Sequence, residues 1–135
     1  MMTDYLQKTR KENGLKAENF VKKFFKAWYS ENDEYDLESK RYLIEVKSCK
    51  CANSCNKNRK NVQFGRFVID TDNHIGLFLH SVKKNKIPIY VFVIRIGNQI
   101  IWKKVKWEKV KINNLKNSHH IHWAKIFYPQ YFEAD

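Results

Sequence analysis

The stretch that decides the fold is a short hairpin with charged residues at one end, Tyr35-Asp36-Leu37-Glu38-Ser39-Lys40-Arg41-Tyr42-Leu43-Ile44-Glu45-Val46-Lys47. We expect a first strand near Tyr35 to Leu37, a turn at residues 38–40 and a second strand from Arg41 to Lys47. Because side chains alternate along a strand, Leu43, Glu45 and Lys47 face one side of the sheet, and Tyr42, Ile44 and Val46 face the other. The hairpin therefore presents an acid and a lysine on one face.

The charged residues of this hairpin suit metal-dependent chemistry on phosphates. Asp36 comes from the first strand and can lie beside Glu45 at the open end of the hairpin. Two carboxylates offer Mg²⁺ the hard oxygen ligands that it prefers, and the ion can polarise a phosphate and lower the pKa of a water molecule. Lys47 can orient or deprotonate that water, or stabilise negative charge on the phosphate. The rival to Asp36 is Asp33, in the acidic connection before the hairpin.

Each of these residues also has an ordinary structural interpretation. Glu45 and Lys47 fit a solvated strand face with a cross-strand ion pair, and Asp36 fits a turn. The sequence of the hairpin alone leaves both interpretations open.

A helix is predicted before the hairpin, from about Asn13 to Tyr29. Its apolar residues recur with the helical period and form one stripe: Ala17, Phe20, Val21, Phe24, Phe25 and Trp28. Glu18 lies at the edge of this stripe, where a carboxylate needs a partner, a metal or a path to water. It can complete the metal site, or it can be a helix-surface acid near Lys22.

The rest of the chain predicts a mixed sheet flanked by helices, in a single α/β domain. After a polar, basic loop over residues 48–61, we expect a strand over 62–69, a helix capped at Asp70–Asp72, a strand buried on both faces over 87–95 and, after a Gly97-Asn98 turn, a strand over 99–105. The expected buried side of that helix is Ile75, Phe78, Leu79 and Val82. Beyond Lys106 a short helix or loop and a strand over about 121–127 are expected.

Charge is distributed unevenly along the 135 residues, which carry a formal net charge of +12. Residues 1–45 hold nine Lys and Arg against nine Asp and Glu, whereas residues 46–135 hold 17 against five. A strong field of one sign favours a polyanionic partner, nucleic acid first of all, although a lysine-rich composition can also reflect the source of the sequence.

The compartment predicted from the sequence is intracellular, in the cytoplasm. The first 13 residues are polar and do not resemble a secretory signal, and no apolar stretch is long enough to span a bilayer. Cys49, Cys51 and Cys55 form an odd and closely spaced set, which is a poor disulfide framework and favours a reducing compartment.

The order of these motifs resembles the PD-(D/E)XK nuclease superfamily, with its restriction-endonuclease-like fold, and the nearest likeness is to archaeal-type Holliday junction resolvases. A basic stretch precedes Gly14-Leu15-Lys16-Ala17-Glu18, and Asp36 and Leu43-Ile44-Glu45-Val46-Lys47 follow. Trp102 can fill the place of a Trp in a later strand. The resemblance covers residues 8–105 approximately, and residues 106–135 form an extension without a counterpart. Tyr35 stands where the family name has Pro.

This resemblance implies an active site, a cofactor and an assembly. Glu18, Asp36, Glu45 and Lys47 would be the catalytic residues, with Glu18, Asp36 and Glu45 binding Mg²⁺ or Mn²⁺. The protein would be a homodimeric endonuclease that cuts DNA, branched DNA included. The alternative that the sequence leaves open is a non-catalytic, basic nucleic-acid-binding module.

Seven basic residues are predicted to contact nucleic-acid phosphates, from the stretch before the first helix and from the basic loop: Lys8, Arg10, Lys11, Lys50, Lys57, Arg59 and Lys60. Trp102 and Trp107 can stack on unpaired bases, although core packing suits Trp102 better.

Two further clusters carry weaker signals. Zinc usually takes four ligands, so the three cysteines are interpreted as free thiols rather than as a metal site. The histidines His119, His120 and His122 can bind a metal, but a basic cluster that contacts DNA or is merely exposed is favoured, with His120 and His122 sharing a face if the segment is a strand.

Overall fold

The computed structural model describes the backbone of residues 2–54 and 62–129, and the side chains of residues 14–51 and 65–129. Three α-helices, nine strands and one 3-10 turn make up this part of the chain. In chain order they are α1 (Met2–Phe25), β1 (Trp28–Tyr29), β2 (Leu37–Glu38), β3 (Tyr42–Lys50), β4 (Ala52–Ser54), β5 (Val62–Phe64), β6 (Arg66–Asp70), α2 (Thr71–Lys84), β7 (Ile87–Ile96), β8 (Gln99–Lys106), the 3-10 turn (Trp107–Lys109), β9 (Ser118–His122) and α3 (Trp123–Phe127).

A mixed five-stranded sheet in the order β1-β2-β3-β7-β8 organises the molecule. β3 and β7 pair in parallel over nine positions, with Glu45 beside Tyr90 and Lys50 beside Arg95. The other pairs in this sheet are antiparallel. The predicted α/β class with a mixed sheet flanked by helices is therefore confirmed, as are the hairpin and the buried central strand β7.

One face of the sheet is covered by α1. Ala17 and Val21 of α1 are almost fully buried against a layer of aliphatic residues from β2, β3 and β7 (Leu37, Ile44, Val46, Ile89, Val91 and Val93). Phe25 packs on Tyr42 at the start of β3, with ring centroids 6.0 Å apart. The helix therefore runs antiparallel to β3, and its earlier residues lie towards the end of that strand.

The helix bounds expected from the sequence were wrong at both ends. α1 begins at Met2 rather than Asn13 and ends at Phe25 rather than Tyr29. Lys26 has a left-handed φ of 53°, which stops the helix, and Trp28–Tyr29 then pair with β2 as an edge strand.

The opposite face of the sheet carries a second core, built on Leu43, Tyr90, Phe92 and Ile94. β6 and α2 cover it, and the chain beyond Lys106 completes it. The residues of that last segment that pack there are Trp107, Val110, Ile112, Ile121, Trp123, Ile126 and Phe127. The segment after residue 105 is thus part of the domain core.

α2 begins at the predicted cap, where the Asp70 side chain accepts a hydrogen bond from Asn73 N. Its predicted buried face was wrong. Ile75, Phe78, Leu79 and Val82 are between 40% and 64% exposed, and the buried residues are Thr71, His74, Gly76, Leu77 and Ser81. The helix is rotated relative to the prediction because the polar side chain of His74 is buried against the sheet, where it hydrogen-bonds to Tyr90. The row of residues that contains His74 therefore faces inward in place of the predicted apolar row.

Three other segments differ from expectation. The first part of the loop predicted over residues 48–61 is wrong, because β3 continues to Lys50 and β4 follows, while residues 55–61 lie outside the described residues. The strand predicted over 62–69 is divided at Gly65 into β5 and β6. An ideal Cβ on Gly65 would lie 1.8 Å from the carbonyl oxygen of Lys50, so only glycine allows this close crossing. Residues 123–127 form α3, and the last strand is β9 at 118–122.

Candidate active site

Asp36 lies where β3 extends beyond β2, and its side chain fixes that junction. Its backbone N–H donates to Ile44 O at 3.1 Å, and its carboxylate atom Oδ2 accepts a hydrogen bond from Val46 N at 2.8 Å. The carboxylate thus accepts from β3 a hydrogen bond that the backbone of a neighbouring strand would otherwise accept, and it lies beside Glu45. Asp33, the rival from the acidic connection, is exposed, and the structure brings Asp36 rather than Asp33 to the predicted site.

Glu18 from α1 and Glu45 from β3 both reach the Asp36 side chain. Burial raises the pKa of Glu18 to about 7, and the charge of Asp36 and a hydrogen bond with it add to the shift. Burial also raises the pKa of Glu45 well above its usual range, again with contributions from Asp36 and from Glu18. Three acids, from α1, from β3 and from the connection just before β2, therefore form one cluster, whose like charges repel one another.

Lys47 is the basic residue of this cluster. It projects from the same face of β3 as Glu45, as predicted, and its Nζ lies 3.9 Å from Glu45 Oε2. That distance is too long for a direct hydrogen bond. Its side chain keeps 23% of its surface exposed. The ammonium group is therefore close enough to act on a group bound by the acids and accessible to a substrate from solvent.

An aromatic layer lies behind Glu45, and the sequence analysis missed it. Tyr90 occupies the position paired with Glu45 on β7, and its hydroxyl is 2.6 Å from His74 Nδ1. Burial, and then the charge of Glu45, raise the pKa of Tyr90, while burial lowers the pKa of His74 to about 4. Both groups are neutral at pH 7. The indole of Trp107 stacks on the His74 ring with centroids 4.5 Å apart, and its Nε1 donates a hydrogen bond to the His74 carbonyl oxygen at 2.7 Å. These contacts fix the position of the aromatic layer behind Glu45.

The side chains that could hold a metal are Glu18, Asp36 and Glu45. Among the side chains described, those of residues 14–51 and 65–129, no three from His, Cys, Asp or Glu are already spaced as ligands around one ion. The donor chemistry nevertheless fits a divalent cation. All three are hard carboxylate donors. A bound cation would offset the charge repulsion and the loss of hydration that raise the pKa of Glu18 and Glu45.

Glu38 on β2 is a second buried acid, and it was assigned only to a turn from the sequence. Its carboxylate accepts hydrogen bonds from Lys84 Nζ at 2.7 Å and from Lys86 Nζ at 2.6 Å, and Tyr35 OH donates to it at 3.3 Å. Burial alone would raise the pKa of Glu38, but the hydrogen bonds and charges of the two lysines lower it. This acid is fully paired and ties the hairpin to the end of α2.

The residues predicted to contact nucleic acid are only partly described. Lys50 is exposed at the end of β3. Lys57, Arg59 and Lys60 lie outside the described residues, as do the side chains of Lys8, Arg10 and Lys11, whose backbone belongs to α1.

The structure describes two of the three cysteines and all three histidines of the weaker clusters. Cys49 and Cys51 are free thiols, and burial raises the pKa of Cys49 to about 12, while Cys55 lies outside the described residues. His120 and His122 share one face of β9, as expected, and His119 contacts Thr71 on the other. Trp102 packs against Phe24 and Phe25 of α1, which supports its interpretation as a core residue.

Comparison with other proteins gives no relative for this chain. Neither a family model, nor a curated protein, nor a solved structure matches it. None of the helices in the described part of the chain combines the length and the apolar character needed to cross a lipid bilayer.

Proposed function

We propose that this protein is a divalent-metal-dependent endonuclease that hydrolyses phosphodiester bonds in DNA, built on a restriction-endonuclease-like fold. The observation that carries the proposal is the convergence of Glu18, Asp36 and Glu45 beside Lys47. These four residues come from three separate parts of the chain, and the sequence motif predicts the same four. Chance would have to place all four at one point of the molecule.

The roles of the four residues follow from their positions. Asp36 and Glu45 would hold Mg²⁺ or Mn²⁺, with Glu18 completing or bracing the set. When bound, the cation supplies positive charge that polarises the phosphate and favours deprotonation of the attacking water. Lys47, within 4 Å of Glu45, orients that water or stabilises the charge that develops on the phosphate oxygens. Tyr90, neutral and braced by His74, fixes the strand position from which Glu45 projects.

Branched DNA is the substrate and a homodimer the assembly that the resemblance to resolvases implies, and we propose both. The exposed apolar row of α2, which includes Phe78, Leu79 and Val82, supports dimer formation, because contiguous apolar surface of this kind is typical of interfaces. Val82→Asp is then expected to convert a dimer to a monomer in sedimentation equilibrium, with the adjacent Lys83→Ala as the control. A wild-type monomer at all concentrations would exclude the assembly.

A cleavage assay tests the function. End-labelled four-way junction, duplex and single-stranded DNA are incubated with Mg²⁺, with Mn²⁺ and with EDTA. Paired symmetric nicks in the junction alone, absent in EDTA, are the expected result. Cleavage of every substrate would retain the site but make the enzyme a general nuclease.

The second candidate is a non-catalytic nucleic-acid-binding module, favoured by the net charge of +12. It predicts salt-sensitive binding of DNA with no cleavage under any metal, and binding that is unaffected by Lys47→Ala. The absence of cleavage with every metal separates it from the nuclease, whereas binding unaffected by Lys47→Ala fits both candidates.

A further inference from the structure

A basic cleft of about 700 Å³ opens at the end of the sheet where β3 and β7 finish. Nine residues line it: Lys16, Lys50, Cys51, Arg95, Ile96, Gly97, Asn98, Gln99 and Ile100. Three of them are cations and none is a carboxylate. A cleft of this size and charge can accept part of an anionic polymer.

The register of the sheet explains why the cations meet. Lys50 and Arg95 are paired positions on the parallel strands β3 and β7, so their side chains leave the same face of the sheet side by side. That face is the one covered by α1, since Val91 and Val93 on the same side of β7 pack in the core beneath the helix. α1 runs antiparallel to β3, which brings Lys16 over the ends of both strands.

The proximity of these three cations is energetically unfavourable in the protein without a bound anion. Like charges at paired strand positions repel, and among the residues described no carboxylate lines the cleft to compensate them. The Nε atom of Arg95 is buried and, within the described chain, has no hydrogen-bond partner. A buried guanidinium nitrogen without an acceptor loses its hydration without a replacement, so the protein itself compensates the Arg95 cation poorly.

The cleft lies next to the acidic cluster, because β3 and α1 each contribute residues to both. Lys50 follows Lys47 by three residues on β3, about 10 Å along the strand. Lys16 precedes Glu18 by two residues on α1. Lys50 and Lys47 leave opposite faces of β3, so an extended polymer that reached both would pass around the end of this strand.

We infer that this cleft binds the phosphate backbone of the DNA strand that leaves the acidic cluster, with the guanidinium group of Arg95, Lys50 and Lys16 as its phosphate contacts. The planar guanidinium of Arg95 suits phosphate oxygens, and the two lysines add charge at the rim. Ile96 and Ile100, which are 40% and 42% exposed, offer apolar contact to the sugars. The choice of DNA rests on the proposed function, whereas the phosphate chemistry of the cleft does not.

Binding without cleavage tests this inference. Fluorescein-labelled single-stranded and duplex DNA are titrated with the full-length protein in EDTA, and the dissociation constant is measured by anisotropy over a series of salt concentrations. The double variant Lys16→Gln/Lys50→Gln changes two exposed side chains, and Lys83→Gln/Lys109→Gln removes the same charge from exposed positions on α2 and the 3-10 turn. The salt slope of the first pair is expected to fall by about 2, one for each lost phosphate contact, and that of the control pair to stay unchanged.

Arg95→Lys tests the guanidinium group, since it keeps the charge and removes the planar set of N–H donors. It is expected to weaken binding while leaving the salt slope of the wild-type protein. An unchanged slope in Lys16→Gln/Lys50→Gln, or an equal fall in the control pair, would overturn the cleft as the binding site. Wild-type affinity in Arg95→Lys would overturn the role of the guanidinium group.

The outcome is separable from that of the proposed function. A reduced salt slope in Lys16→Gln/Lys50→Gln, together with no cleavage under any metal, would support the cleft as the binding site and exclude the nuclease. Metal-dependent cleavage with an unchanged slope would retain the nuclease and exclude the cleft.

Discussion

Two buried glutamates on neighbouring strands show how differently this small domain treats the same side chain. Glu38 of β2 and Glu45 of β3 are 7% and 6% exposed. Two lysine ammonium groups and a tyrosine hydroxyl surround Glu38, and its pKa is lowered. Glu45 has two other carboxylates beside it and a lysine at 3.9 Å, and its pKa is raised.

Equally low solvent exposure with opposite surroundings indicates different uses. A buried acid that is completely paired holds structure together. A buried acid grouped with other acids destabilises the metal-free protein, and such an arrangement is typical of sites where function requires the group. The contrast between these two glutamates therefore supports catalysis at Glu45 and a structural role for Glu38.

The largest expected effect is on cleavage. Asp36→Ala and Glu45→Ala should each lower the cleavage rate at least about 1,000-fold, because a metal contributes several kcal/mol of transition-state stabilisation and each ~1.4 kcal/mol is tenfold in rate. Rates are measured under single-turnover conditions at about 15 °C. Glu38→Gln, the matched control at a buried acid outside the cluster, should retain its rate while folded. Cleavage that persists in both alanine variants would refute the assignment.

The next largest effect is on stability. Glu38→Gln leaves Lys86, whose side chain is 17% exposed, without its carboxylate, and should reduce the free energy of unfolding by about 3 kcal/mol. Urea denaturation followed by tryptophan fluorescence measures it. Lys84→Ala is the milder comparison, since its side chain is 39% exposed. Equal stability of Glu38→Gln and the wild type would show that Glu38 is not a structural ion pair.

Metal addition should stabilise the folded protein through the acidic cluster. At a Mn²⁺ concentration 100 times the dissociation constant, the expected gain is about 2.7 kcal/mol, removed by EDTA. Thermal melts with and without Mn²⁺ give the shift. Glu45→Ala should lose it and Glu38→Gln should keep it, and an equal shift in both variants would place the ion elsewhere.

A further effect is on the pH dependence of stability without metal, where the two acids have opposite signs. The pKa of Glu38 is lowered in the folded state, so its contribution is present above the unfolded pKa near 4.5 and is lost as the pH falls below that value. The pKa of Glu18 is raised from 4.5 to about 7, so the folded state binds the extra proton and stability decreases as the pH rises from 4.5 to 7.

Urea denaturation in EDTA at pH values from 4 to 8 tests these signs. Asp36→Asn keeps an oxygen that can accept from Val46 N but removes one charge, and it should flatten the decrease between pH 4.5 and 7. A curve for Asp36→Asn that is as steep as that of the wild type would show that the acids do not interact.

The sequence predicted the acidic cluster because its residues belong to local patterns. Alternation in β3 places Glu45 and Lys47 together, and a hairpin brings Asp36 to them. The rotation of α2 was not predictable, because it depends on the contact between His74 and a tyrosine 16 residues later. The pairing of Lys50 with Arg95 was missed for the same reason, since register between parallel strands 45 residues apart leaves no mark in either strand alone.

The parallel pairing of β3 with β7 also has a consequence for the order in which the molecule is made. Glu18, Asp36, Glu45 and Lys47 all precede residue 48, yet the strand that carries two of them is buried only when residues 87–96 dock beside it. Contacts this distant along the chain are slow to form. During synthesis we therefore expect the acidic cluster to assemble only after β7 has left the ribosome, so the growing chain would acquire the geometry of this cluster late.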